Sequence, residues 1–351
     1  MSELAVAVDG SDGKYSLKYF DEGVSMRVVE FERWRAKVSK LTPHQREVLG
    51  KQLQAGDRTR GVERTLAEGL GPITLCPHCK HAEIRPWGRS HGLQRYRCPG
   101  CKRTFNRLTG TALARLRHKD QWLTYTQALV DGVGVRKAAL RCGVNKNTAF
   151  LWRHRFLASP SMMMAQRECG IVEADETYFL ESFKGTCGLS RKPRKRGGKA
   201  LKRGTSAEQI PVLIARDREG RTADYILPVA DKKHIGDLLK SLVADDAILC
   251  TDGGGHGVFA AVAKEHGLTH RPVNVHAGIR VRAKVYHVQN VNAYTSRLKE
   301  WMHRFHGVAT KHLHSYLGWR RMLERSGNDL NPKLCLIQCA GFLKAQQLTQ
   351  T

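Results

Sequence analysis

Residues 286–321 read YHVQNVNAYTSRLKEWMHRFHGVATKHLHSYLGWRR. From 288 to 306 the stretch holds neither proline nor glycine, and Val291, Leu298, Met302 and Phe305 recur at helical spacing. Asn292 and Lys299 stand seven residues apart, two turns, on one face of that helix. Upstream, residues 247–250 form a short apolar run that closes on Thr251, Asp252 and Gly253, the pattern of a buried strand ending in a turn. Further back, residues 171–179 (IVEADETYF) read as another strand with Asp175 at its middle. Its alternation puts Glu173 and Asp175 on one face and Glu176 on the other. An Asp within a strand, an Asp at another strand's end and a polar residue on a later helix can converge on a pair of divalent metal ions. A lysine two turns along that helix would then meet a nucleic-acid phosphate.

Composition sets the partner class. Among 351 residues, 59 Lys and Arg face 32 Asp and Glu, a formal charge of +27. A chain this basic points to a polyanion, above all nucleic acid. The hydrophobic share of 41% supports two or three domains with real cores. No run approaches the roughly 18 apolar residues of a membrane span, so no membrane partner is expected. The N-terminus (MSELAVAVDGSDGK) lacks a basic segment followed by an apolar one, and no secretion signal is read there. Ten cysteines, four in a metal pattern and six scattered, suit a reducing cytoplasm.

Residues 1–40 read as a loosely ordered leader. A helix is predicted to start at Pro43, with Thr42 as N-cap and Gln45 completing a capping box. A second amphipathic piece over 60–68 would make a helical pair of residues 41–72. Then Cys76, Cys79, Cys98 and Cys101 form a C-x2-C-x18-C-x2-C pattern. Two such knuckles complete a closed site of four thiolates for one structural Zn2+. Arg85, Arg89, Arg95, Tyr96 and Arg97 between them suit phosphate contacts.

Helices are predicted over 118–131, 135–142 and from Asn145 through Leu157, with Gly143 as a turn. The small, turn and core positions fit a helix-turn-helix. Its third helix would present Lys146, Asn147, Arg153 and Arg155 to double-stranded DNA. Residues 159–161 read as a linker and 162–164 as the start of a packed helix.

The strand at 171–179 leads into residues 184–203, which hold nine basic and no acidic side chains. Such a run reads as a loop, with Arg191, Lys192, Arg194, Lys195 and Arg196 placed to clamp DNA. Strands are expected over 209–216, 222–227, 247–251 and 270–275, with helices over 231–242 and around 258–264. The tail from Leu323 reads as a last helix in which Cys335 and Cys339 are buried.

Taken in order, these blocks resemble the DDE-type transposases of bacterial insertion sequences, in the group with a zinc ribbon ahead of a ribonuclease-H-like catalytic domain. The resemblance runs from about Leu41 to Trp319. It implies an α/β fold, a ribonuclease-H-like mixed sheet with flanking helices, over 165–320, preceded by a zinc ribbon (73–110) and a helix-turn-helix (111–160). A C-terminal helical tail (321–351) would follow. Asp175, Asp252 and Asn292 align with the catalytic triad, Lys299 with the basic residue seven positions on, and His287 with a supporting histidine. Many relatives carry Glu where this chain has Asn292, although a subgroup shares the Asn. The resemblance implies two Mg2+ (or Mn2+) ions on Asp175, Asp252 and Asn292, and cleavage and transfer of DNA strands. It also implies binding to the element's terminal inverted repeats and to target DNA, a homodimer or higher homo-oligomer, and a nucleoid-associated place in the bacterial cytoplasm. Two other readings stay open: a regulator with a dead catalytic domain, which the neutral Asn292 favours, and a structure-specific nuclease.

Overall fold

The computed structural model describes residues 26–189, 192, 194, 198, 200, 201, 206–253, 257–274 and 277–341. The chain divides into two units, Met1–Ala55 and Gly56–Thr351. In the first, part of the expected leader is a helix, α1 (Val28–Val38), opened by a capping box between Arg27 and Glu30 and with no buried residue. Residues 1–25 of the expected leader lie outside the described residues. Thr42 caps the next helix as its sequence predicts: Gln45 N–H donates to Thr42 Oγ1 at 3.2 Å, and Thr42 N–H donates to Gln45 Oε1 at 2.9 Å. That helix, α2 (Pro43–Leu70), is one element where a pair was expected. Gly50, Gly56 and Gly61 weaken a helix by about 1 kcal/mol each without breaking it.

In the second unit, three short strands form an antiparallel meander: β1 (Arg85–Ser90), β2 (Leu93–Arg97) and β3 (Thr104–Asn106). The core of this ribbon is Cys76, Cys98 and Phe105, with Tyr96 stacked on Phe105 at 5.9 Å. Three helices follow, α3 (Trp122–Val130), α4 (Val135–Cys142) and α5 (Lys146–Met162). Trp122, Tyr125, Trp152 and Phe156 pack edge to face between them. Gly143, at φ 60°, makes the turn from α4, and Asn145 caps α5 by accepting from Asn147 N–H. The linker expected at 159–161 and the helix start at 162–164 are corrected: α5 runs through Pro160 to Met162. Only its last turn forfeits a bond to the proline.

The large sheet follows: β4 (Ile171–Leu180), β5 (Gln209–Asp217), β6 (Thr222–Ile226), α6 (Lys232–Leu242), β7 (Ile248–Thr251), α7 (Val258–His266) and β8 (Thr269–His270). Its strand order is β6-β5-β4-β7-β8. β4, β5 and β6 are an antiparallel meander; β7 runs parallel to β4, and β8 parallel to β7. This is the ribonuclease-H-like arrangement. The predicted fifth strand shrinks to two residues, continued by a bridge between Asp252 and Val273. One face packs Val172, Ala174 and Leu213 against Ile235, Leu239 and Val262 of α6 and α7. The other packs Val212 and Ile214 against Val291, Tyr294 and Leu298 of α8 (Gln289–His303).

The tail is not an appendage. Two further helices, α9 (Leu313–Ser326) and α10 (Pro332–Cys339), share a core with α3 and α5, and Cys335 and Cys339 are fully buried in it. Trp319 donates its Nε1–H to Leu129 O at 3.0 Å. α9 crosses the last turn of α5 at Gly318, where a Cβ would lie 2.3 Å from Ser161 Cα. Arg321 pairs with buried Asp224 on β6 and donates to Ser161 O and Met163 O, tying the segment after α5 to the sheet edge.

Candidate active site

The four cysteines close as the pattern predicts. Their sulfurs all lie within 4.8 Å of one another, with Cys76 to Cys101 at 3.7 Å and Cys79 to Cys98 at 3.5 Å. A tetrahedron with metal–sulfur bonds of about 2.3 Å has edges of about 3.8 Å, so the set fits zinc. A disulfide, at about 2.05 Å, is not formed. The two knuckles are built alike. Cys76 N–H bonds His81 O and Cys98 N–H bonds Arg103 O, and the residues after the second cysteines, Lys80 and Lys102, both have positive φ. Four cysteine sulfurs with no further ligand are the donor set of a closed, structural zinc site.

The sheet brings the two aspartates together. Ala174 pairs with Thr251 across parallel β4 and β7, so the next residues, Asp175 and Asp252, stand side by side on neighbouring strands. Burial and the charge of Asp252 push the Asp175 carboxyl up to about 6, and Lys299 opposes this. The α8 lysine therefore lies within electrostatic reach of the first aspartate. A carboxylate held away from water beside a second one is a donor set that a divalent cation relieves. Asn292 and Lys299 share the exposed side of α8, while Val291, Tyr294 and Leu298 fill its buried side. Among the described residues, only the four thiols bring three or more ligand atoms into one compact cage.

Two carboxylates were not foreseen as site residues. Glu176, expected on the opposite face of β4, is pushed up to about 7 by burial and by the charges of Asp175 and Asp252. Its neighbours in sequence were the available signal. Glu173 is fully buried, and its Oε2 accepts from Asn290 N–H at 2.8 Å and from Val291 N–H at 3.0 Å. It caps the first turn of α8 from inside the sheet, one residue from Asn292. Arg218 Nη1 lies 3.1 Å from Glu173 Oε1, and His287 Nδ1 3.3 Å from it. Arg218 also contacts His287 Nε2 at 2.6 Å. His287 thus belongs to the packing that seats α8. That Glu173 shares the face of Asp175 was legible from alternation; its burial and its partners were not.

The expected DNA contacts divide. Lys146 and Asn147 are exposed at the first turn of α5. Arg153 is corrected: it is fully buried, donates to Val133 O at 2.8 Å and lies 4.3 Å over the ring of Trp319. Arg155 is corrected too, since its guanidinium caps Ala112 O and Ala114 O. In the basic loop, Arg194 is held by Glu181 O and by the Glu208 carboxylate at 2.8 Å, so it anchors the loop's base. Lys192 is exposed. Arg191, Lys195 and Arg196 lie outside the described residues.

Residues 169–320, the sheet with both aspartates and α8, match the ISXO2-like transposase domain. The "Uncharacterized protein in transposable element ISH50" of Halobacterium salinarum is 28% identical over 266 residues, covering 73% of this chain and 88% of that protein. Among solved structures, a chain of the simian T-cell lymphotropic virus intasome in complex with PP2A regulatory subunit B56 gamma aligns over 59% of this chain and 69% of its own. The identity is 12% and the TM-score 0.27. A pre-cleavage Mos1 transpososome aligns over 62% and 77%, at 10% identity and a TM-score of 0.19. The assignment of the fold rests on strand order and not on these neighbours. Residues 169–320 thus match the model of the ISXO2-like transposase domain, and over most of its length the chain is similar to a protein of a transposable element.

Proposed function

We propose that the protein binds the terminal inverted repeats of its insertion sequence, pairs them as a homo-oligomer, and cleaves and joins DNA strands in the bacterial cytoplasm. The observation that carries this is the adjacency of Asp175 and Asp252 at neighbouring parallel strands, with Lys299 of α8 in electrostatic reach. Asp175 and Asp252 are the carboxylates that would hold Mg2+ or Mn2+, and Asn292 would add its amide oxygen, directly or through water. Bound there, two ions supply charge stabilisation and an activated water or 3′-hydroxyl for in-line attack on a phosphodiester. Lys299 neutralises and orients the phosphate beside them. Glu173, Arg218 and His287 hold the helix carrying Asn292 and Lys299 in register with β4. The zinc ribbon and the exposed first turn of α5 supply the grip on duplex DNA, and the charge of +27 supplies its salt dependence.

Strand joining tests this directly. The full chain, Mg2+, a labelled duplex ending in the element's terminal repeat and a supercoiled plasmid should yield labelled, joined plasmid. Binding to the repeat with neither nicking nor joining would favour the regulator, a reading for which neutral Asn292 is the specific support. Cutting of branched DNA regardless of the repeat would favour the nuclease.

A further inference from the structure

Between the strand end that pairs with Asp252 and the helix that carries Asn292, the chain makes an exposed hairpin. Val273 bridges Asp252, and its carbonyl accepts from Gly253 N–H at 2.9 Å. Asn274 then folds the chain back, accepting from Ile279 N–H through its backbone and from Ala277 N–H through its side chain. Arg282 and Tyr286 pair antiparallel, exchanging both backbone bonds at 2.8 and 2.9 Å. Six residues after Tyr286 comes Asn292. One foot of the hairpin therefore stands beside Asp252, and the other leads into the helix that carries Asn292.

The hairpin's composition is one-sided. Residues 277–287 (AGIRVRAKVYH) contain no acid, and Arg280, Arg282 and Lys284 are exposed. None of the three takes part in an ion pair among the described residues. Ile279, Val281 and Val285 alternate with them and are 50%, 41% and 49% exposed. The tip, Ala283 and Lys284, has φ of 48° and 62°, a left-handed backbone that neither side chain favours and that Gly or Asn normally supplies. Arg218 holds the returning leg by donating to Val285 O at 2.9 Å, and the same guanidinium lies against Glu173 under the first turn of α8. A strained tip persists where surrounding contacts over-determine it, and such sites cluster where function needs them.

We infer that this hairpin is a second DNA-contacting element, engaging the duplex immediately beside the scissile phosphate. The inference rests on the transposase reading and deepens it. A turn closed by a single bridge pair is narrower than the two-stranded ribbon that a DNA major groove admits. Arg280, Arg282 and Lys284 meet flanking phosphates, and Val281 and Val285 lie against sugars and base edges. The ribbon and α5 then read the internal part of the repeat, while the hairpin holds the end in the active site.

The test is a hydroxyl-radical footprint of the full chain on an uncleaved duplex spanning the element end, with Ca2+ in place of Mg2+. The wild type should protect two regions, the internal repeat and the backbone at the cut site. An Arg280→Ala, Arg282→Ala, Lys284→Ala variant should keep the first and lose the second, with a salt slope of binding shallower by about 2 to 3. Lys284→Glu, one change at an exposed tip, should lose cut-site protection without disturbing the fold. Cut-site protection unchanged in Lys284→Glu and in the triple variant would overturn the hairpin's role and leave the transposase reading intact. A wild type that leaves no footprint on the end would overturn both.

Discussion

Glu173 on β4 accepts both Asn290 N–H and Val291 N–H, joining the strand of Asp175 to the helix of Asn292 through one buried carboxylate. The two halves of the candidate site are thereby held at a fixed distance by a group that does no chemistry itself. Removing it strands two buried donors and the facing Arg218. Glu173→Ala should lower the unfolding free energy by about 3 kcal/mol, and Glu173→Gln, which keeps one acceptor, by roughly half that. Urea titration measures both. Equal stability of Ala, Gln and wild type would refute the clamp.

Glu168, just before β4, is fully buried and neither carboxylate oxygen has a hydrogen-bond partner. Burial, then the charge of Asp217, pushes its carboxyl up to about 9 from an ordinary 4.5. The folded chain thus keeps a proton that the unfolded chain releases. Its contribution is full below about pH 4.5 and declines by on the order of 1 kcal/mol per pH unit as pH rises towards 9. Glu168→Gln cannot ionise, so its melting temperature should exceed the wild type's at pH 8 and match it near pH 4.5. A constant offset across that range would show that Glu168 does not titrate in this way.

Zinc should be separable from the sheet. Cys98→Ser removes one of the four clustered sulfurs and one of the two cysteines in the ribbon's small core. Metal analysis should fall from about one zinc per chain to near zero. Amide exchange should then accelerate over β1 to β3 while β4, β5 and β7 stay protected. Protection retained throughout the ribbon would mean that the thiols hold it without metal.

Arg153 and Lys146 lie on one helix and should behave oppositely. Arg153→Ala deletes a buried guanidinium that bonds Val133 O and covers Trp319, at a cost of about 2–4 kcal/mol. Lys146→Ala should leave stability within about 0.5 kcal/mol and reduce the salt slope of DNA binding by about 0.9. Were Lys146 the destabilising position, the orientation of α5 would be wrong.

Much of this architecture was legible. The four cysteines carry their own spacing rule, and the alternating run around Asp175 and the apolar run before Asp252 each read as a strand; the sheet then sets those strands side by side. Alternation also put Glu173 on the same face as Asp175. What it could not supply was a partner 117 residues further along the chain. Arg153 failed for the same reason: from its own helix it reads as a surface cation, and only α9, returning with Trp319, buries it. Local rules erred where they were weak, as with three tolerated glycines in α2 and a proline in the last turn of α5. The short β8 is a sheet edge, where few contacts discipline the chain.

Strand cleavage on a duplex carrying the element's own end, with Mg2+, tests the central claim most directly. Wild type, Asp175→Asn and Asp252→Asn would be assayed side by side, with end binding measured on the same samples. The adjacency of the two aspartates predicts that the wild type cuts, and that each variant binds the end normally but cuts at least about a hundredfold more slowly. Cleavage that persists in both variants would contradict the site.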